Sequence, residues 1–157
     1  MLTKLERYVS NGVIKEIFAP KYIKPMKIKG QWVYNKRPLF PGYVVVDTDQ
    51  IDRLDYELKS TSFLARLLGN GKEPIPLTPA EVSWLLDSTE VGNRVIGVSE
   101  GVMKGDEIIV ESGPLVGHSA WIESVNRHKR MAYLVIDMFG QRINARAGLH
   151  IKDMLPA

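Results

Sequence analysis

The sequence predicts an α+β unit followed by a small all-β barrel. Three observations lead there. Helix-spaced and strand-spaced apolar residues alternate up to residue 88, a glycine-rich stretch follows at 89–101, and from 102 only short strands and turns remain. A chain of 157 residues has room for two such units, here bounded as 1–88, 89–101 as a linker, and 102–157.

The first element is a helix, because Leu2, Leu5 and Val9 fall on one face and Asn11-Gly12 supplies a stop. The segment IKEIFAPKYI reads as extended and broken at Pro20, since a proline cannot donate to a central ladder. KPMKIKGQWVYNKRP is basic, with a turn at Gly30, and reads as a hairpin or loop. Tyr43–Val46 is β-branched and aromatic, which predicts a buried strand. Asp49 is placed to cap a helix reaching about Lys59, burying Ile51, Leu54 and Leu58. SFLARLLGNG is apolar and then turns at Gly69-Asn70-Gly71. The clearest helix start is LTPAEVSWLLD, with Thr78 as N-cap, Pro79 at the first position and Glu81 completing a capping box. In the β unit, Gly113-Pro114 marks a turn and Gly117 a positive-φ bend. Leu134, Ile136 and Met138 share one strand face. Ile143, Ala145 and Ala147 share another, opposite Arg142, Asn144 and Arg146.

Composition narrows the function classes. An apolar content of 45% is ordinary for a globular chain, and no run approaches the ~18 residues of a membrane span. There is no signal-peptide h-region and no cysteine, so a cytoplasmic, non-membrane protein is expected. Charge is uneven: residues 1–40 hold nine basic and two acidic side chains, residues 41–103 five and ten, and residues 104–157 seven and six. Such asymmetry points to faces that meet different partners.

Catalysis finds no support. His118, His128 and His150 lack metal-ligand spacing, and no nucleophile elbow, phosphate loop or dinucleotide fingerprint occurs. Asp47, Asp49, Asp52 and Asp55 suit helix capping and a solvated face better than a metal. The reading is a non-enzyme without cofactor or metal. Two stretches remain. Phe40-Pro41-Gly42-Tyr43 is either a turn with core aromatics or an apolar patch that docks a partner. Arg127, His128, Lys129 and Arg130 form either a solvated hairpin tip or, with Arg142, Asn144 and Arg146, a surface for a polyanion. Tyr133 and Trp121 are candidate stacking rings or core residues.

LFPGYVVV resembles the signature of the NusG N-terminal (NGN) domain, and GDEIIVESGPLVGHSAWIESV is similar to the KOW motif that opens that family's C-terminal SH3-like barrel. VNRHKRMAYLVIDMFGQ resembles the LoaP branch, specialised antiterminators. The resemblance implies a monomeric elongation factor that binds the clamp helices of the RNA polymerase β′ subunit and lies near DNA of the transcription bubble. Polymerase contact would fall to Phe40 and Tyr43, with Val45, Leu64 and Leu67 from neighbouring segments. In the LoaP branch the KOW domain would take an RNA hairpin in the nascent transcript, through Arg127, His128, Lys129, Arg130, Arg142, Asn144 and Arg146. The alternatives are a housekeeping NusG whose KOW domain binds Rho or a ribosomal protein, and a KOW ribosomal or assembly protein. Family members begin with a W-Y-x-V strand ahead of the first helix. Here the chain starts within that helix, so the N-terminal sheet is expected to be one strand short.

Overall fold

Helix α1 (Leu2–Arg7) and the turn at Gly12 lead into a short strand, β1 (Glu16–Phe18). The structure, a computed structural model, describes residues 2–60, 65–69, 73–138 and 140–156, without the side chains of residues 2–4. As the proline rule predicts, the extended segment breaks at Pro20, and β2 (Lys21–Ile28) starts afresh. β2 and β3 (Gln31–Pro38) form an antiparallel hairpin. Its two turn residues, Lys29 and Gly30, both have positive φ, 50° and 80°. That is the backbone of a two-residue turn whose twist suits flanking strands.

β4 (Val45–Asp47) pairs antiparallel with β1, while β5 (Val95–Ile96) pairs parallel with β2. The N-terminal part therefore carries two small sheets, β1-β4 and β3-β2-β5, rather than one continuous sheet. Pro25 is tolerated mid-strand because β5 covers only Lys21 and Tyr22, leaving β2 an edge strand beyond them. Arg94, in the approach to β5, staples the two sheets together. Its Nε donates to Glu16 Oε2 at 2.9 Å and its Nη2 to Oε1 at 2.7 Å, while Nη1 reaches Thr89 Oγ1 at 3.1 Å.

Helix α2 (Ile51–Lys59) buries Leu54 and Leu58, as its spacing predicts, and leaves Ile51 half-buried. The expected cap is different. Gln50 is the N-cap and makes no side-chain cap bond, while Asp49 pairs with Lys15 at 2.8 Å. A carboxylate one residue too early, with an ammonium in reach, takes the ion pair. Helix α3 (Pro79–Asp87) starts as expected, with Thr78 Oγ1 accepting from the Glu81 amide at 3.2 Å.

The stretch read as a linker contains β5 and the start of β6 (Ser99–Lys104). β7 (Glu107–Ser112), β8 (Ile122–Asn126), β9 (Met131–Met138) and β10 (Gln141–Leu155) complete a five-stranded mixed sheet in the order β7-β6-β10-β9-β8. Where a closed barrel was expected, no β7–β8 pairing joins the two ends among the described residues. β10 is the spine, antiparallel to β9 over its first half and parallel to β6 over its second. Gly113 (φ 96°) packs directly on Ser99, where a Cβ would come within 2.5 Å of Ser99 Cα. Gly117 also has the expected positive φ, 78°.

One apolar core runs through both parts. Tyr22, Leu39, Phe40, Trp84, Leu85 and Ile96 from the N-terminal side pack with Leu115, Met131, Leu134, Ile136, Ala147 and Leu149 from the C-terminal sheet. Trp84 anchors α3 across the junction: its indole N–H donates to Pro114 O at 2.9 Å, and its ring meets Trp121 edge-on at 5.0 Å. His118 stacks on Trp121 at 3.9 Å, and burial lowers its pKa. Trp121 is thus engaged in packing. A smaller core of Leu5, Val13, Leu54 and Leu58 lies under α1 and α2.

Candidate nucleic-acid interface and apolar groove

Residues 127–130 form the β8–β9 turn. Asn126 Oδ1 accepts from the Lys129 amide at 3.1 Å, and the Arg130 amide donates to Arg127 O at 3.2 Å. Arg130 adopts a left-handed φ of 53°. Its guanidinium lies 4.0 Å from the ring centroid of Trp32 on β3, a cation–π contact between the two halves of the chain. Arg127, His128 and Lys129 stay exposed at the tip.

The alternation expected on β10 is present: Arg142, Asn144 and Arg146 are exposed, while Ile143, Ala145 and Ala147 are buried. Cross-strand register separates their surroundings. Arg146 lies opposite Tyr133, two positions from Met131 and so next to the turn. Its guanidinium is 5.5 Å from the Tyr133 ring centroid. It also faces Tyr22, whose phenol burial pushes up in pKa against the opposing charges of Arg146 and Arg37. Asn144 is opposite Val135, and Arg142 is opposite Asp137. Arg142 therefore sits about 20 Å along the strand from the turn, at 3.4 Å per residue, beside a charge of opposite sign. The structure brings Arg127, His128, Lys129, Arg130 and Arg146 to one end of the sheet and leaves Arg142 at the other.

A cavity of about 490 Å³ opens on the N-terminal part. Tyr43, Val45 and Leu67 all line it, with Leu54 and Leu58 from α2 and Leu85 from α3. Val44, Val45 and Val46 contribute to its predominantly apolar lining, and among the described residues β4 pairs with β1 alone. The same opening leaves Tyr43–Val46 half-buried, less covered than a buried strand would be. Phe40 is placed otherwise: it is 1% exposed and belongs to the shared core. Leu64 lies outside the described residues. The Tyr43 hydroxyl and Gln141 Oε1 are 3.1 Å apart, so the rim of the cavity touches the start of β10. Among the described residues no cluster of His, Asp and Glu has metal-binding geometry, and no helix is long and apolar enough to cross a membrane.

Sequence reasoning did not single out Trp32 or the lysines around it. The available signal was the run of six cationic side chains without an acidic one between Lys21 and Arg37. Read as a hairpin pivoting at Gly30, it sorts those charges onto faces.

Comparison with known proteins gives one family match, to the model described as transcription termination factor NusG, over residues 2–86. A Deinococcus radiodurans protein named transcription termination/antitermination protein NusG is 31% identical over 125 residues, covering 71% of this chain and 66% of that protein. Proteins of the same name from Staphylococcus epidermidis and Staphylococcus aureus are 29% identical over 105 residues, covering 65% of this chain and 57% of theirs. The chain thus spans a little over half the length of these staphylococcal relatives.

Proposed function

We propose that this chain, which belongs to the NusG family, is a non-enzymatic, cytoplasmic transcription elongation factor of the specialised, LoaP-like kind. It docks RNA polymerase through the apolar groove and takes a hairpin of the nascent transcript on the 127–130 end of its C-terminal sheet, a KOW domain in this reading. The convergence of Tyr43, Val45 and Leu67 on one cavity carries the polymerase half. An apolar trough of this kind suits the apolar face of a partner helix from the polymerase β′ clamp. Phe40 supports the groove from the core beneath it. The exposed Arg127, His128 and Lys129, with Arg130 and Arg146 beside them, support the RNA half. Arg142 and Asn144 would serve a longer RNA footprint along β10. Phosphate neutralisation supplies affinity there, and contacts to loop bases supply selectivity.

Single-round transcription through a terminator preceded by a hairpin-forming leader tests the division of labour. Tyr43→Ala in the full chain is expected to abolish read-through while leaving leader-RNA affinity within about twofold. Loss of both together would contradict separate polymerase and RNA surfaces. Read-through independent of the leader would favour a general NusG-like factor with a protein partner on the C-terminal sheet.

A further inference from the structure

Two arginines meet where the parts of the chain join, and no carboxylate balances them. Arg37 stands directly opposite Tyr22 in the β2–β3 hairpin, and Arg146 directly opposite Tyr133 in the β9–β10 pair. Directly opposed residues share a face, with Cβ atoms about 4.5–5.5 Å apart, so each arginine stands beside a phenol. The two pairs come together because β10 crosses β2 at Gly148, close to the Ile23 carbonyl. Tyr22 is the meeting point. It is 4% exposed, and the charges of Arg146 and Arg37 both bear on its hydroxyl. Among the described residues neither arginine forms an ion pair, whereas Arg94 forks onto Glu16. Arg37 donates to Lys36 O at 3.0 Å, and Arg146 lies 5.5 Å from the Tyr133 ring centroid. Burial raises the Tyr22 pKa above its ordinary 10.0, so the hydroxyl keeps its proton and can donate it in a hydrogen bond.

We propose that this seam binds the terminal phosphate of a small phosphorylated metabolite. Arg37 and Arg146 present their N–H groups to its oxygens, and the Tyr22 hydroxyl donates a further hydrogen bond. Like charges held together repel, and an oxyanion between them turns that repulsion into two attractions. A guanidinium fork matches a pair of phosphate oxygens, as a lysine ammonium does not. Charge selects the kind of phosphate. A monoester carries about −1.5 to −2 at pH 7, which two guanidiniums match, whereas an internal phosphodiester carries a single charge. Shape points the same way: Tyr22 is recessed, so a phosphate on one stem can approach it better than one flanked on both sides. Because the arginines belong to different parts of the chain, an anion held by both also ties the hairpin to the C-terminal sheet. The inference goes beyond the RNA reading, since it concerns the junction and shares only Arg146 with that surface.

The test is a titration of the full chain with methyl phosphate and, separately, with dimethyl phosphate, at low and fixed ionic strength. NMR follows the arginine Nε–H signals. Methyl phosphate should shift those of Arg37 and Arg146 saturably, and should bind about tenfold or more tightly than the diester. Arg37→Ala should weaken methyl phosphate binding about 10- to 150-fold, as the loss of charge-assisted hydrogen bonds does. Tyr22→Phe keeps the ring in the core and should weaken binding about 2- to 10-fold. Saturating methyl phosphate should also raise the melting midpoint of the wild type, and the same concentration should raise that of Arg37→Ala less. Arg37 is the deciding position because Arg146 also serves the RNA reading. Equal affinity of the wild type for the two esters, which requires no variant to fold, would overturn the proposal. So would wild-type affinity for methyl phosphate in Arg37→Ala.

Discussion

Arg94 shows how much a single side chain can hold in this fold. Its guanidinium is 7% exposed, forks onto both oxygens of Glu16, and lies 5.1 Å from the Phe18 ring centroid. Removing it would leave a carboxylate that is only 26% exposed without its partner, and would release β1-β4 from the strands around β2. Arg94→Met is therefore expected to destabilise the protein by about 2–4 kcal/mol, read from urea melts. The pH dependence has a definite sign. The hydrogen bonds from Arg94 hold the Glu16 carboxyl below its ordinary value of 4.5. Glu16 then contributes stability that is fully present above that value and is lost as pH falls through its depressed folded value. Wild type and Glu16→Gln should differ at pH 7 and converge in strong acid. Nothing in the sequence announces this pair, because its members are 78 positions apart. Local chemistry is more legible: Thr78, Pro79 and Glu81 state their helix start within four residues, and that start is where they put it. Asp49 misleads at the same range, because Lys15 competes for it through space.

Among the elements, β10 and the β2–β3 hairpin decide what faces what. β10 crosses β2 at Gly148, where an added Cβ would come within 2.9 Å of both Ile23 O and Val98 Cγ2. No side chain fits there without pushing the two halves of the chain apart. Gly148→Ala should cost about 1–3 kcal/mol of stability by overpacking, measured as a lower melting midpoint. It should also loosen the Arg130–Trp32 contact, seen as a change in tryptophan emission. Strand alternation made the exposed and buried faces of β10 readable from QRINARA alone, since the period of two requires no knowledge of neighbours. Register is a different matter. That Arg142 faces Asp137 while Arg146 faces Tyr133 depends on where the β9–β10 turn closes, so one charge of the expected face lies apart from the rest. The hairpin reads as basic and turning at Gly30 from its sequence, yet that it meets the 127–130 turn, through Arg130 on Trp32, depends on tertiary structure.

At the scale of the whole molecule, one core joins the parts that the sequence divides. Leu39 and Phe40 stand beside the FPGY bend yet pack among residues of the C-terminal sheet. Trp84 fastens α3 to Pro114, and the Tyr43 hydroxyl reaches Gln141 across 98 positions. Composition and turn signals divide the chain, whereas the contact between its parts arises from shape and burial that no local pattern encodes. The resulting arrangement sets an apolar groove on the N-terminal part and a basic, ring-studded face where the hairpin meets the C-terminal sheet. The central claim is that the groove receives polymerase and the basic face receives nucleic acid. Binding of the full chain to immobilised core RNA polymerase tests the first half most directly, with Tyr43→Ala, Leu67→Asp and Lys129→Ala compared at matched thermal stability. The account predicts that the first two lose at least tenfold in affinity while Lys129→Ala binds like wild type. Wild-type affinity in both groove variants would contradict it.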